Sequence, residues 1–152
     1  MPGSCRKFTQ EFYGWYVPLI LNDKRGVEAA SSWAIKLRPT SFSRELLNAL
    51  TEDMKEQRKA PGEIVGIDFD PFLNSQDPAS EYAVGKVSVK NGKCFADTHS
   101  VDSGKRSLNA EVVTELQFKQ GKWSFTNFHY AKKTNLLGIL KGLKAERTKA
   151  RI

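Results

Sequence analysis

Residues 86–101 read KVSVKNGKCFADTHSV, and this stretch decides the fold class. Val87 and Val89 alternate with Lys86, Ser88 and Lys90, the period of two of a half-buried strand, and Asn91-Gly92 follows at once. That dipeptide suits a type I′ turn, because both central residues need positive φ. The chain is therefore expected to reverse and return from Cys94 to about Val101. Residues 102–106 read as a polar loop. Ala110, Val112, Thr114, Leu116 and Phe118 then alternate with polar neighbours up to a second turn at Gln120-Gly121. The next strand is read with Trp123, Phe125, Asn127 and His129 on one face and Ser124, Thr126, Phe128 and Tyr130 on the other.

Ahead of this meander the period is that of a helix. Phe8, Phe12, Trp15 and Leu19 recur at four, three and four residues, one apolar stripe, with Pro18 and Asn22-Asp23 predicting a stop or kink near Val17. Residues 22–37 show no clean periodicity, and Val27, Trp33, Ile35 and Leu37 fit either a short helix or an irregular segment. Pro39-Thr40-Ser41 opens a second stripe of Phe42, Leu46, Leu47, Leu50 and Met54 that ends at Pro61-Gly62. Leu136, Leu137, Leu140 and Leu143 make a last short helix. Helices first and an antiparallel meander after them, with no βαβ alternation, is an α+β pattern. One domain is expected over residues 5–145, with residues 146–152 a basic, fraying tail.

The 152 residues suffice for one such domain. Hydrophobic residues at 39% and charged residues at 27% exclude a disordered or low-complexity chain. No apolar run approaches the ~18 residues of a membrane span. The net charge of +7 sits almost wholly in residues 132–152, which carry seven basic residues against Glu146. A solvated tail explains this better than a nucleic-acid footprint, which would need a basic folded face. Cys5 and Cys94 are too few for a zinc site or a disulfide scaffold. One bridge between them, worth about 2–4 kcal/mol and implying an oxidising compartment, and two unpaired thiols both fit the sequence. Met1 to Cys5 carry no signal-peptide pattern. Taken as complete, the chain is expected in the cytoplasm; an export signal removed ahead of Met1 would instead make it periplasmic or extracellular.

Chemistry-bearing residues are few. Asp97 and His99 lie two apart on one strand face, and with His129 they are the candidate acid/base groups. Asp68 and Asp70 in GIDFDPFLNSQDP are the candidate hard-metal ligands. Counted from Asp68 as an EF-hand loop, however, position six is Leu73 and position twelve Ala79, so turn capping is the stronger reading. No nucleophile elbow, P-loop or dinucleotide fingerprint is present, and no cofactor is expected. Most aromatics fall on stripes that helix and sheet would bury against each other. Trp15, Phe95, Trp123, Phe125 and Tyr130 are the candidates to line a cavity on a concave sheet.

The helix containing FYGWYV, then DFDPFLNSQDP, EYAVGKVSV and VVTELQFKQGKWSFTNFHY with LLGILKGLK, resembles bacterial domain-of-unknown-function family 3828, over roughly residues 8–143. That family belongs to the nuclear-transport-factor-2-like, cystatin-like superfamily. The resemblance implies a cone-like fold, a strongly bent antiparallel sheet wrapped on N-terminal helices. It also implies frequent export and, through an open sheet face, a homodimer; it carries no activity. The expected function is a non-enzymatic binding module for a small apolar or amphipathic ligand or a protein partner. A small acid/base enzyme of the isomerase, dehydratase or hydrolase type is the alternative. The ligand version requires a cavity at the aromatic candidates, and a filled core there would remove it.

Overall fold

The hairpin turns set the architecture. In the computed structural model, which describes residues 2–22 and 27–151, Asn91 and Gly92 take φ of 53° and 77°. This is the left-handed pair that a type I′ turn demands. Across it β1 (Glu81–Lys90) and β2 (Lys93–Asp102) pair antiparallel. The segment read as a polar loop holds another such turn. Ser103 and Gly104, at 52° and 75°, let the two-residue strand β3 (Lys105–Arg106) fold back on β2. A strand this short has no apolar alternation to announce it. Gln120-Gly121, at 53° and 78°, joins β4 (Val112–Lys119) to β5 (Lys122–His129). The sheet is open and antiparallel, ordered β1-β2-β4-β5 with β3 on β2. With four α-helices among the described residues beside it, the fold class is α+β.

Helix α1 (Pro2–Asn22) continues past Pro18, so the stop expected near Val17 does not occur. Pro18 is exposed, and the hydrogen bond its ring forbids faces water. Asp23, the second half of that stop signal, lies outside the described residues. The stretch without clean periodicity is a helix, α2 (Val27–Leu37). Pro39–Ser41 form a single 3-10 turn instead of opening the next helix. Helix α3 (Arg44–Arg58) starts at Ser43, whose side chain accepts from the Leu46 amide at 3.3 Å. Phe42 thus leaves the helical stripe and bridges Phe125 on β5. Among the described residues no helix is long and apolar enough to cross a membrane.

Residues 146–150 of the tail expected to fray are instead the last third of α4 (Leu136–Ala150), which is capped by the Asn135 side chain, accepting from the Gly138 amide at 2.8 Å. Its basic residues recur at helical spacing and meet the acidic face of α3. Arg147 pairs with Asp53 at 2.8 Å and donates to the Val65 carbonyl at 3.0 Å, Lys144 reaches Glu52 at 3.3 Å, and Arg151 pairs with Glu56. Much of the charge that looked like a solvated tail therefore sits in an interhelical seam.

The face of β5 also differs from strict alternation. Glu115 opposes Asn127 while Leu116 opposes Phe125, so β5 carries one extra residue, a bulge. Beyond it the side chains change face. Phe125 and Phe128 both point into the core, fully buried, and His129 emerges on the opposite face.

Between sheet and helices the interior is aromatic and filled. The Phe12 ring lies 4.9 Å from Phe125, 5.8 Å from Phe72 and 5.9 Å from Phe42, and Phe128 lies 5.0 Å from both Phe72 and Phe125. Cys5 and Cys94, both fully buried, form a disulfide that fastens α1 to β2. The deepest stripe of α1 is Cys5, Thr9, Phe12, Tyr13, Tyr16, Val17 and Ile20. Phe8, Trp15 and Leu19 are only half-buried on its flank.

Candidate functional site

The disulfide orients the sheet faces. Cys94 meets α1, so Ala96 and Thr98 face the core, and Phe95, Asp97 and His99 face the other way. On the core side, Asp70 is fully buried. Its carboxylate accepts the Tyr16 hydroxyl at 2.6 Å and the amides of Phe72 and Leu73 at 2.9 and 3.1 Å. Burial pushes its pKa up to about 7, against the opposing pull of those three hydrogen bonds. Burial and the nearby Asp70 charge in turn raise Tyr13, Tyr16 and Tyr130. Asp68 is exposed, its backbone carbonyl accepting from Gln76 at 2.9 Å. The two aspartates therefore point apart and do not form a metal site. Asp70 caps the turn that follows it, with its side chain doing the work that a water shell would do at a surface.

The five aromatic candidates do not share a cavity. Phe125 is core. The Trp123 indole donates to Ser4 Oγ at 2.9 Å, closing the sheet against the start of α1. The Tyr130 hydroxyl donates to the Pro71 carbonyl, and its ring meets Phe69. Trp15 lies on the helical flank under the Arg38 guanidinium, 4.1 Å from its ring, which also pairs with Glu11 at 2.8 Å. Phe95 is on the opposite face of the sheet, 6.1 Å from His129. Inward alternation buries an aromatic as readily as it lines a pocket, and here α1 supplies enough rings to fill the space.

On that opposite face His129 gains a partner the sequence did not suggest. Glu115 accepts from Thr126 Oγ1 at 2.6 Å, bonds His129 Nε2 at 2.9 Å and pairs with Lys93 at 3.0 Å. Burial pushes Glu115 up, but the hydrogen bonds from Thr126, His129 and Lys93 outweigh it, so its carboxyl sits below the usual range. Counting back from the Gln120-Gly121 turn puts Glu115 across from Thr126. Only the bulge brings His129 to the same face. His99 is separate, its Nδ1 3.0 Å from the Ser107 carbonyl and its ring over Gly85, where an added Cβ would lie 2.8 Å from Nε2. It holds the β3 return in place. Asp97, on the same face, has no hydrogen bond to either histidine. Among the described residues no group of three His, Cys, Asp or Glu side chains is placed to hold a metal.

An apolar recess lies elsewhere, where the strap of residues 65–69 runs beside α2 and α3. The Gln57 amide oxygen accepts from the Val65 and Gly66 amides at 3.0 and 2.9 Å, and Asp53 accepts from the Ile67 amide at 2.9 Å. Gly66 is needed for this approach, since a Cβ there would meet Asp53 Oδ2 at 2.7 Å. The recess beside the strap has a volume of about 220 Å³ and is walled by Met54, Ile67 and Phe69 and lined also by Ser31, Ser32, Asp53, Gln57 and Arg58. A sequence signal for it exists only in part: Met54 and Arg58 are one helical turn apart on α3. Searches with protein-family models, among curated proteins and among solved structures find nothing that matches the chain.

Proposed function

We propose that the chain is a non-catalytic binding module that holds a small amphipathic molecule in the recess between α2 and α3. One observation carries this reading: an apolar recess of about 220 Å³ lined by one cationic side chain, Arg58, and one carboxylate, Asp53, whose oxygens are already engaged by Arg147 and the Ile67 amide. The volume falls below the roughly 300–1,000 Å³ of drug-sized sites, so the ligand is small. Its apolar body would lie against Met54, Ile67 and Phe69, and an anionic or polar head would meet Arg58. The aromatic candidates are not part of this reading, because they are dispersed: Phe125 is core, Trp15 lies on the flank of α1 and Phe95 on the opposite face of the sheet. The resemblance to domain-of-unknown-function family 3828, and with it the cone-like nuclear-transport-factor-2-like architecture, belongs to the proposal and agrees with the order of helices and strands. So does a working place in an oxidising compartment, since a buried disulfide is maintained there and reduced in the cytosol.

The acid/base alternative keeps one supporting observation, the Glu115–His129 hydrogen bond at 2.9 Å. It ranks second because that pair and the recess are on different faces of the sheet. The test is methyl NMR of Met54 and Ile67 during titration with hexanoate and with phenylacetate. Wild type is expected to show saturable shifts with at least one of them, and Met54→Trp, which fills the recess, is expected to show none while unfolding at a similar temperature. No saturable shift with either compound in wild type would overturn the reading.

A further inference from the structure

The tips of the β1–β2 and β4–β5 hairpins carry lysines opposite lysines. Lys90 is the cross-strand partner of Lys93, and Lys119 of Lys122. Like charges directly opposite each other destabilise a sheet. The first pair is relieved, because Lys93 reaches Glu115 at 3.0 Å. The second pair has no such relief: among the described residues no carboxylate pairs with Lys119 or Lys122, nor with Arg44 across from them. These three cations line one groove of about 700 Å³ between the start of α3 and the β4–β5 hairpin, and no Asp or Glu lines it. This volume lies within the range of small-molecule sites. The groove also offers the Asn48 and Gln117 amides, and Phe42 and Leu47 form an apolar floor. The end of α3 is not what makes the site, since the Ser43 side chain already satisfies the Leu46 amide.

From this we infer that the groove is a second binding site, for a small organic anion bearing two or more phosphate-class charges. Arg44 would supply the planar fork that matches phosphate oxygens, and Lys119 and Lys122 would act as point charges whose mutual repulsion the ligand relieves. The organic part would rest on Leu47 and the edge of Phe42. The site is independent of the recess between α2 and α3, which lies beside residues 53–58, toward the other end of α3.

Tripolyphosphate is the minimal probe, titrated calorimetrically at low ionic strength into three proteins: wild type, Lys119→Gln/Lys122→Gln and Lys132→Gln/Lys133→Gln. The last double variant removes the same charge from the turn before α4. One saturable site is expected in wild type, weakened at least tenfold by the Lys119/Lys122 changes and less than twofold by the Lys132/Lys133 changes. The Lys119/Lys122 variant should melt no lower than wild type, because a repulsive pair is gone, and this separates lost binding from lost folding. The inference is overturned if wild type shows no saturable heat, or if the two double variants weaken binding equally, which would mean diffuse attraction to net charge.

Discussion

At the scale of single residues, Asp70 shows what burial does to a turn-capping carboxylate. Its three hydrogen bonds favour the charged form, and removal from water opposes them and wins, leaving a folded-state pKa of about 7. A raised carboxyl pKa means that the folded protein holds a proton the unfolded chain has released. The stabilising contribution of the protonated group is therefore complete below the unfolded value near 4 and is lost as pH rises through about 7. Each pH unit inside that window is worth up to about 1.4 kcal/mol. Asp70→Asn keeps an acceptor for the Phe72 and Leu73 amides and cannot ionise. Urea unfolding between pH 4 and 7 should show wild type losing stability relative to the variant; parallel curves would refute the assignment. The motif DFDPFLNSQDP suggested that Asp70 caps a turn, and it does. That its neighbour Asp68 points outward while Asp70 points inward depends on Tyr16 of α1, more than fifty residues away in sequence.

At the scale of elements, the last turns of α4, expected to fray, are docked on α3 with one buried ion pair. The Arg147 and Asp53 side chains are only 9% and 2% exposed, and Arg147 also caps the Val65 carbonyl, so the strap beside the recess is held from both helices. Removing one partner of a buried pair leaves an uncompensated charge, which typically costs about 3–5 kcal/mol. Arg147→Met should lower the unfolding free energy by about that much, measured by urea denaturation. Lys144→Met, whose partner Glu52 is exposed, should change it by less than about 1 kcal/mol. Equal effects would show that α4 docks by its leucines alone. The basic residues after Lys141 were read as a tail because their acidic partners on α3 lie some ninety residues away, beyond any local spacing. The same limit applied to β5, where period-two reasoning placed Trp123 and Phe125 correctly and failed after the bulge.

At the scale of the whole molecule, the Cys5–Cys94 bond joins the first helix to the second strand across 89 residues of chain. A cross-link of that span restricts the unfolded ensemble strongly, and its removal typically costs about 2–5 kcal/mol. Cys5→Ala/Cys94→Ala should lose stability in that range in a denaturant titration. A loss below about 1 kcal/mol would indicate that packing of α1 against β1 already sets the helix in place. The filled aromatic interior is the other whole-molecule feature. It moves the proposed ligand site from the core side of the sheet to the seam between α2 and α3.

The amino-acid sequence by itself determined the α+β class, the turns at Asn91-Gly92 and Gln120-Gly121, the antiparallel meander and the existence of α1, α3 and the start of α4, because these follow from backbone preferences and spacings within a few residues. Only the tertiary structure decided which half-buried aromatics became core, where His129 would point, that Glu115 would meet it, that the basic tail would find α3, and that the two cysteines would touch. Each of these depends on residues far apart in the chain competing for the same space and the same water, and no local spacing records the outcome of that competition.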